Sequence, residues 1–174
     1  DKIFCSGFYE LGSRKFHCWL KGGHGKMSLQ EAIQRSCDVY FYELARKVGV
    51  KRIGAMAKQL GLGQSYKLPL TGISKGFVPT KKWKKESFGT SWLVGDTLNI
   101  GIGQGFSLAT PLQLAVMTAR IASGREVIPN LIRNTENELD KMKALSIRQE
   151  TLAAIKKGMY DVVNEKKGTA FNFR

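Results

Sequence analysis

After Ser28 the apolar residues fall into a helical period. Ala32, Ile33, Tyr40, Phe41, Leu44 and Val48 recur at that spacing until Gly49 stops the pattern. Ser28-Leu29-Gln30-Glu31 reads as a capping box: the serine oxygen bonds a first-turn N–H while the glutamate reaches back. Ser36 and Asp38 sit inside this run and compete for backbone hydrogen bonds. The expectation is therefore two helices broken at Ser36-Cys37-Asp38, with Asp38 as the second N-cap. Residues 1–27 show little periodicity and read as a loop-rich opening segment, with residues 28–174 as a mainly helical core part.

Further on, residues 51–60 predict a short helix ended by Gly61 and Gly63. The stretch from Tyr66 to Trp92, with Pro69 and Pro79, predicts irregular chain, and Gly95 to Gly105 a strand or extended loop. Thr110-Pro111 opens a helix, threonine at the N-cap and proline in the first helical position. Leu112, Leu114, Ala115, Met117 and Ile121 make it apolar on most sides, as a central helix would be. Residues 126–133 read as an edge strand because Pro129 cannot donate a ladder bond. Ser146-Ile147-Arg148-Gln149 reads as a second capping box, opening a helix with Leu152, Ile155, Met159 and Val162 on its inner stripe.

Composition narrows this picture only a little. Hydrophobic residues are 43% of the 174, enough for a core and too many for a disordered chain. No run approaches the roughly 18 apolar residues of a membrane span. The chain starts at Asp1 without a signal peptide, and the expectation is a fragment of a longer protein. The formal charge of +14 favours anionic partners without choosing among nucleic acid, lipid headgroups and wall polymers. The densest basic stretch, Lys81-Lys82-Trp83-Lys84-Lys85, reads as a solvated loop rather than a base-stacking patch.

Cysteine usage adds candidate chemistry. Cys5, Cys18 and Cys37 share the first 37 residues with both histidines, His17 and His24. A Cys3His set is a complete tetrahedral zinc shell of the closed, structural type. The spacings of 13, 6 and 13 residues match no standard zinc finger, so spacing alone says little. A Cys5–Cys18 disulfide with Cys37 buried as a small apolar residue is the alternative.

Two segments carry a family resemblance. One is Ser36-Cys37-Asp38 followed by Val39-Tyr40-Phe41-Tyr42-Glu43-Leu44-Ala45. The other is Gly95-Asp96-Thr97-Leu98-Asn99-Ile100-Gly101-Ile102-Gly103-Gln104-Gly105, continuing through Ala109-Thr110-Pro111-Leu112-Gln113. In this order and spacing they resemble the transpeptidase domain of class B penicillin-binding proteins. Gly23-His24-Gly25 and Gly158-Met159-Tyr160 point to the side-wall elongation branch, that of penicillin-binding protein 2. The resemblance runs over the whole chain, which would be a partial transpeptidase domain. It implies an α+β fold, an antiparallel sheet flanked by helices, with most of the sheet lying outside these residues.

Such enzymes use Ser-x-x-Lys, Ser-x-Asn/Asp and Lys-Thr/Ser-Gly motifs. This chain has neither the first nor the third; Lys167-Gly168-Thr169-Ala170 resembles the segment just upstream of the third. By the resemblance, Ser36 shuttles a proton and Asp38 hydrogen-bonds the substrate or the missing lysine, where the bland reading is helix capping. Without a nucleophile the chain alone is expected to be inactive. The glycine run lacks the phosphate-loop pattern and is read as close-packing backbone.

The resemblance also implies zinc held by Cys5, Cys18, His24 and Cys37, with two thiolates where relatives carry aspartates, and with His17 exposed and not a ligand. It implies a parent peptidoglycan D,D-transpeptidase at the periplasmic face of the bacterial inner membrane. That parent would act on stem peptides, be acylated by β-lactams and assemble with membrane proteins of the elongation machinery, with no role for nucleic acid. The competing readings are a zinc-stapled basic module that binds nucleic acid, with a steep salt dependence, and a binding-only β-lactam sensor, which needs an intact Ser-x-x-Lys.

Overall fold

The computed structural model describes residues 2–69, 71–132 and 138–173. It opens with four short strands, β1 (Ile3–Cys5), β2 (Phe8–Leu11), β3 (Arg14–His17) and β4 (Gly25–Met27). The helices follow: α1 (Leu29–Gln34), α2 (Asp38–Val48), α3 (Val50–Gln59), α4 (Lys81–Phe88), α5 (Val94–Gly101), α6 (Pro111–Ser123), α7 (Glu138–Lys141) and α8 (Gln149–Asn164). This is the helical portion of an α+β domain, as expected.

The opening segment is more ordered than its sequence suggests. Gly12-Ser13 makes a two-residue turn, with Gly12 at φ +60°, and pairs β2 with β3 from Phe8↔His17 to Leu11↔Arg14. Around this hairpin β1 pairs with β4, Ile3 opposite Met27 and Cys5 opposite Gly25. Isolated ribbons of this size are marginal, so α2 supplies the support. Phe16 meets the Tyr42 ring edge-on at 5.7 Å, and the Tyr42 hydroxyl donates to the His17 carbonyl at 3.2 Å.

The core gathers Cys5, Phe16, Cys18, Met27, Ala32, Cys37, Val39, Tyr40, Tyr42 and Leu98. Thus α2 lies between the ribbons and α5, while α1 packs on α8. Close approach of α5 to α2 requires glycine at position 101, because an added Cβ would stand 2.4 Å from the Ala45 methyl group.

Four sequence expectations are corrected. Gly95 to Gly105 is not extended; its first part is α5, whose start is fixed where the Asp96 carboxylate accepts from the Leu93 N–H at 2.7 Å. Lys81 to Lys85 is not a solvated loop. It forms the first turns of α4, capped by Thr80, with Lys84 buried in an ion pair with Asp96 and facing the Trp92 and Phe106 rings. No strand occupies the described residues 126–132; a single bridge, Arg125↔Ala144, holds that region. The last helix starts at Gln149 after an N-cap at Arg148, not at Ser146.

α6 is capped by Thr110 as read, yet it is not apolar all round: Leu114 is 46% exposed while Gln113 and Arg120 are buried. The Gln113 amide donates at 2.8 Å to the carbonyls of both Gln64 and Lys75, and Arg120 donates to those of Gln59 and Val127. Two buried polar side chains of α6 therefore bond the carbonyls of Gln64, Lys75 and Val127 in irregular segments and that of Gln59 at the end of α3.

Candidate active site and metal centre

Arg35, Ser36 and Cys37 are the whole connection between α1 and α2, and Asp38 opens α2. Ser36 N–H donates to the Ile33 carbonyl at 3.2 Å and Cys37 N–H to that of Ala32 at 2.9 Å. This is the Schellman pair of bonds that closes a helix C-terminus, and it needs a left-handed residue between them. Glycine usually fills that place; here Ser36 does, at φ +50°, the only non-glycine with positive φ among the described residues. The turn leaves the Ser36 side chain exposed and sends Cys37, fully buried, into the core beside Ala32.

Cys37, not Asp38, is the N-cap of α2, and it makes no side-chain capping bond. Asp38 is the first helical residue, where its charge favours the helix dipole. Its Oδ2 accepts from the Trp19 N–H at 2.8 Å. The Trp19 indole N–H donates to the Arg35 carbonyl at 3.1 Å, and its ring lies edge-on to His24 with centroids 5.4 Å apart. Trp19 thereby ties the opening segment to both sides of the serine turn. Sequence reading missed it, since a lone Trp beside a Cys carries no motif.

From the other end of the chain, the Ser36 hydroxyl meets the Thr169 hydroxyl at 3.0 Å, and Thr169 N–H donates to the Gln34 carbonyl at 3.2 Å. Ala170 N–H reaches the Val162 carbonyl at 3.1 Å. This seat requires Gly168, because an added Cβ there would lie 2.2 Å from the Val162 carbonyl oxygen. The folded chain thus places Gly168-Thr169-Ala170 against the serine turn across 133 residues of sequence.

Directly beneath the turn, Cys5, Cys18, His24 and Cys37 are all buried, and their ligand atoms lie within 4.8 Å of one another. None of the three cysteines is in a disulfide. His17 is exposed and lies outside the group. The sulfurs of Cys5 and Cys18 stand 3.6 and 3.5 Å from His24 Nδ1. For Zn–S near 2.3 Å and Zn–N near 2.0 Å, a tetrahedral shell has S···N edges of about 3.5 Å, so these two edges have the right size for a metal.

Burial pushes the Cys18 thiol up, and burial followed by the contact with Cys5 pushes Cys37 up to about 12. Burial likewise lowers the His24 imidazole. The buried His24 Nε2 has no hydrogen-bond partner among the described residues. The four residues can hold a metal ion.

The pattern described as the penicillin binding protein transpeptidase domain matches residues 1–173. The chain is 34% identical over 178 aligned residues to the peptidoglycan D,D-transpeptidase MrdA of Haemophilus influenzae, covering 96% of this chain and 27% of that protein. The structure superimposes on penicillin-binding protein PBP2 of Helicobacter pylori with TM-score 0.90 and 37% identity, over 99% of this chain and 33% of that one. It also matches PBP2 in a complex with MreC from the same organism, with TM-score 0.89 and 36% identity, over 99% of this chain and 32% of that one. The chain spans about a third or less of these relatives' length. With its serine turn, its docked Gly-Thr-Ala segment and this match over nearly every residue, the chain belongs to the penicillin-binding protein transpeptidase family.

Proposed function

We propose that this chain is the central part of a peptidoglycan D,D-transpeptidase, a serine acyl-transfer enzyme that cross-links wall strands and is acylated by β-lactams. The observation that carries this reading is the junction at Ser36. A strained turn presents its hydroxyl to solvent, and the segment leading to the family's third motif is hydrogen-bonded to it. In this reading Ser36 relays a proton between the lysine of a Ser-x-x-Lys motif, absent from these residues, and the leaving group. Asp38 acts by positioning, because one carboxylate oxygen is held by Trp19. The stem-peptide substrate, the periplasmic face of the inner membrane and assembly with elongation-machinery membrane proteins follow from the same family reading. The MreC complex of the Helicobacter pylori relative supports the last of these.

Zinc is the metal we propose for the buried group, held by the three sulfurs and His24 Nδ1. It would supply a structural bond between the opening segment and the serine turn, with no part in the chemistry. The runner-up, a nucleic-acid module, loses its main support, because the lysine run is a helix with Lys84 turned inward.

The test uses the full protein that carries this chain, with a fluorescent penicillin and Ser36→Ala. The relay role predicts that acylation slows by about a hundredfold or more. Acylation at the parent rate in a folded Ser36→Ala protein overturns it.

A further inference from the structure

On the far side of α2 from the serine turn, a groove of about 460 Å³ runs between α3 and the start of α4. Its floor is apolar, made by Val50, Ala55, Val78 and Pro79. Gly54 faces Val78 across the groove, with room for an added Cβ at an ordinary contact distance of 3.5 Å from a Val78 methyl group. Lys51 and Lys58 rise along one side and Lys81 and Lys82 along the other, all four exposed. Among the described residues no carboxylate lines the groove. Among the described residues only Lys82 has an ion pair, an exposed one with Glu86 at 3.7 Å; Lys51, Lys58 and Lys81 have none. The first turn of α4 adds its partial positive charge to the same wall. Like charges facing each other across an apolar trough are unfavourable without a counter-charge, and among the described residues only the exposed Glu86 beside Lys82 supplies one.

We propose that this groove docks an acidic polypeptide segment of a partner protein, with an apolar side chain on the floor and carboxylates on either side. The spread of charge favours a polymer over a single headgroup. Lys51 and Lys58 are seven residues apart on one helix face, about 10.5 Å along its axis. That span equals about three residues of extended chain. One lipid phosphate reaches one or two of these cations and leaves the others uncovered, whereas a segment with acids flanking a leucine meets both rows. The proposal is independent of the reading of Ser36, which lies beyond the other end of α2.

The probe is a fluorescein-labelled peptide, Glu-Glu-Leu-Glu-Leu-Glu-Glu, titrated by fluorescence anisotropy against the purified full protein that carries this chain. Three exposed lysines of the groove are reversed together as Lys51→Glu, Lys58→Glu and Lys81→Glu. A control with the same change in net charge carries Lys2→Glu, Lys26→Glu and Lys156→Glu. Circular dichroism confirms that each variant keeps the parent's helical signal. The expected result is binding weakened about tenfold or more by the groove variant, by less than about threefold in the control, and lost when every Glu of the peptide is Gln. Equal losses in the two variants reduce the effect to overall charge and overturn the proposal. So does an absence of peptide binding. Binding of the chain to phosphatidylglycerol vesicles that the groove variant abolishes, with peptide binding unchanged, assigns the groove to lipid and also overturns it.

Discussion

Ser36 holds a left-handed backbone that an L side chain adopts at a cost of about 1–2 kcal/mol. Glycine would remove that strain, yet it would also remove the hydroxyl that meets Thr169. Ser36→Ala keeps the strain and loses the bond, while Ser36→Gly loses the bond and relieves the strain. The glycine variant should therefore be more stable than the alanine variant by about 1 kcal/mol, read as a difference in urea midpoint. Both should be equally deficient in acylation within the full protein. A glycine variant no more stable than the alanine one would show that the turn stores no strain. The sequence shows a serine where a helix breaks; that this serine stands in the glycine position of a Schellman turn is visible only in the backbone angles.

Asp161 is a buried carboxylate that apolar periodicity overlooked, placed where α8 faces α1. Its carboxyl is held below the usual carboxylate range, first by the hydrogen bond from Lys157 and then by that from Gln30 at 2.6 Å. The folded pKa is depressed, so this group contributes stability that is present above the unfolded pKa and lost as pH falls through the folded one. The acid-side loss should set in below about pH 4 and be smaller in Asp161→Asn. Urea melts of the two proteins across that range are the measurement. Curves that stay parallel as pH drops would remove Asp161 from the account.

At the scale of elements, the opening ribbons and the α1–α2 turn are small pieces that cannot stand alone. Hydrophobic contact with α2 and the Trp19 clamp hold them from one side, and the cysteine–histidine group ties them from within. If zinc occupies that group, chelation by excess EDTA should lower the thermal midpoint of the chain, and Cys37→Ser should reduce bound zinc and leave chelation without further effect. Purified protein should carry about one zinc per chain by elemental analysis, following the tetrahedral shell. Three free thiols titrating with no zinc present would sink the assignment. Legibility differed sharply between elements. α3 is legible from the glycines that end it and α6 from its Thr110-Pro111 start, signals that their own residues carry. α5 was not, since its glycines argue against a helix locally. Packing overrides them: Gly101 is what lets α5 approach α2. The β2–β3 hairpin had one signal, Gly12-Ser13, but the flanking Phe8–Leu11 and Arg14–His17 are too short and, in the second case, too basic to stand out from a loop.

For the molecule as a whole, much apolar surface faces solvent. Phe173 is 88% exposed, Ile132 74%, and Leu93 and Leu108 64% each. The two sheets among the described residues are two-stranded ribbons, and the chain spans a third or less of the relatives it matches. Stability should therefore be spread unevenly over the chain, with the core around α2 and α5 outlasting the periphery. We expect a broad thermal transition for the isolated chain, with circular dichroism and tryptophan fluorescence giving different midpoints. One sharp transition seen identically by both probes would contradict this. Among the described residues no helix is long and apolar enough to cross a membrane.

By itself the sequence determined the break at Ser36-Cys37-Asp38, the helices with clear caps, the ordered motifs that mark the family and the four residues of the Cys/His group. These depend on local chemistry: side chains that cap, glycines that end helices, and residue types that suit a metal. Tertiary structure alone decided the rest. It converted the glycine run into α5, turned Lys84 from a solvated face onto Asp96, and brought Thr169 to Ser36 across the whole domain. The reason is physical: each of these outcomes depends on a partner far away in sequence, whose burial or charge outweighs a local preference of a kcal/mol or so.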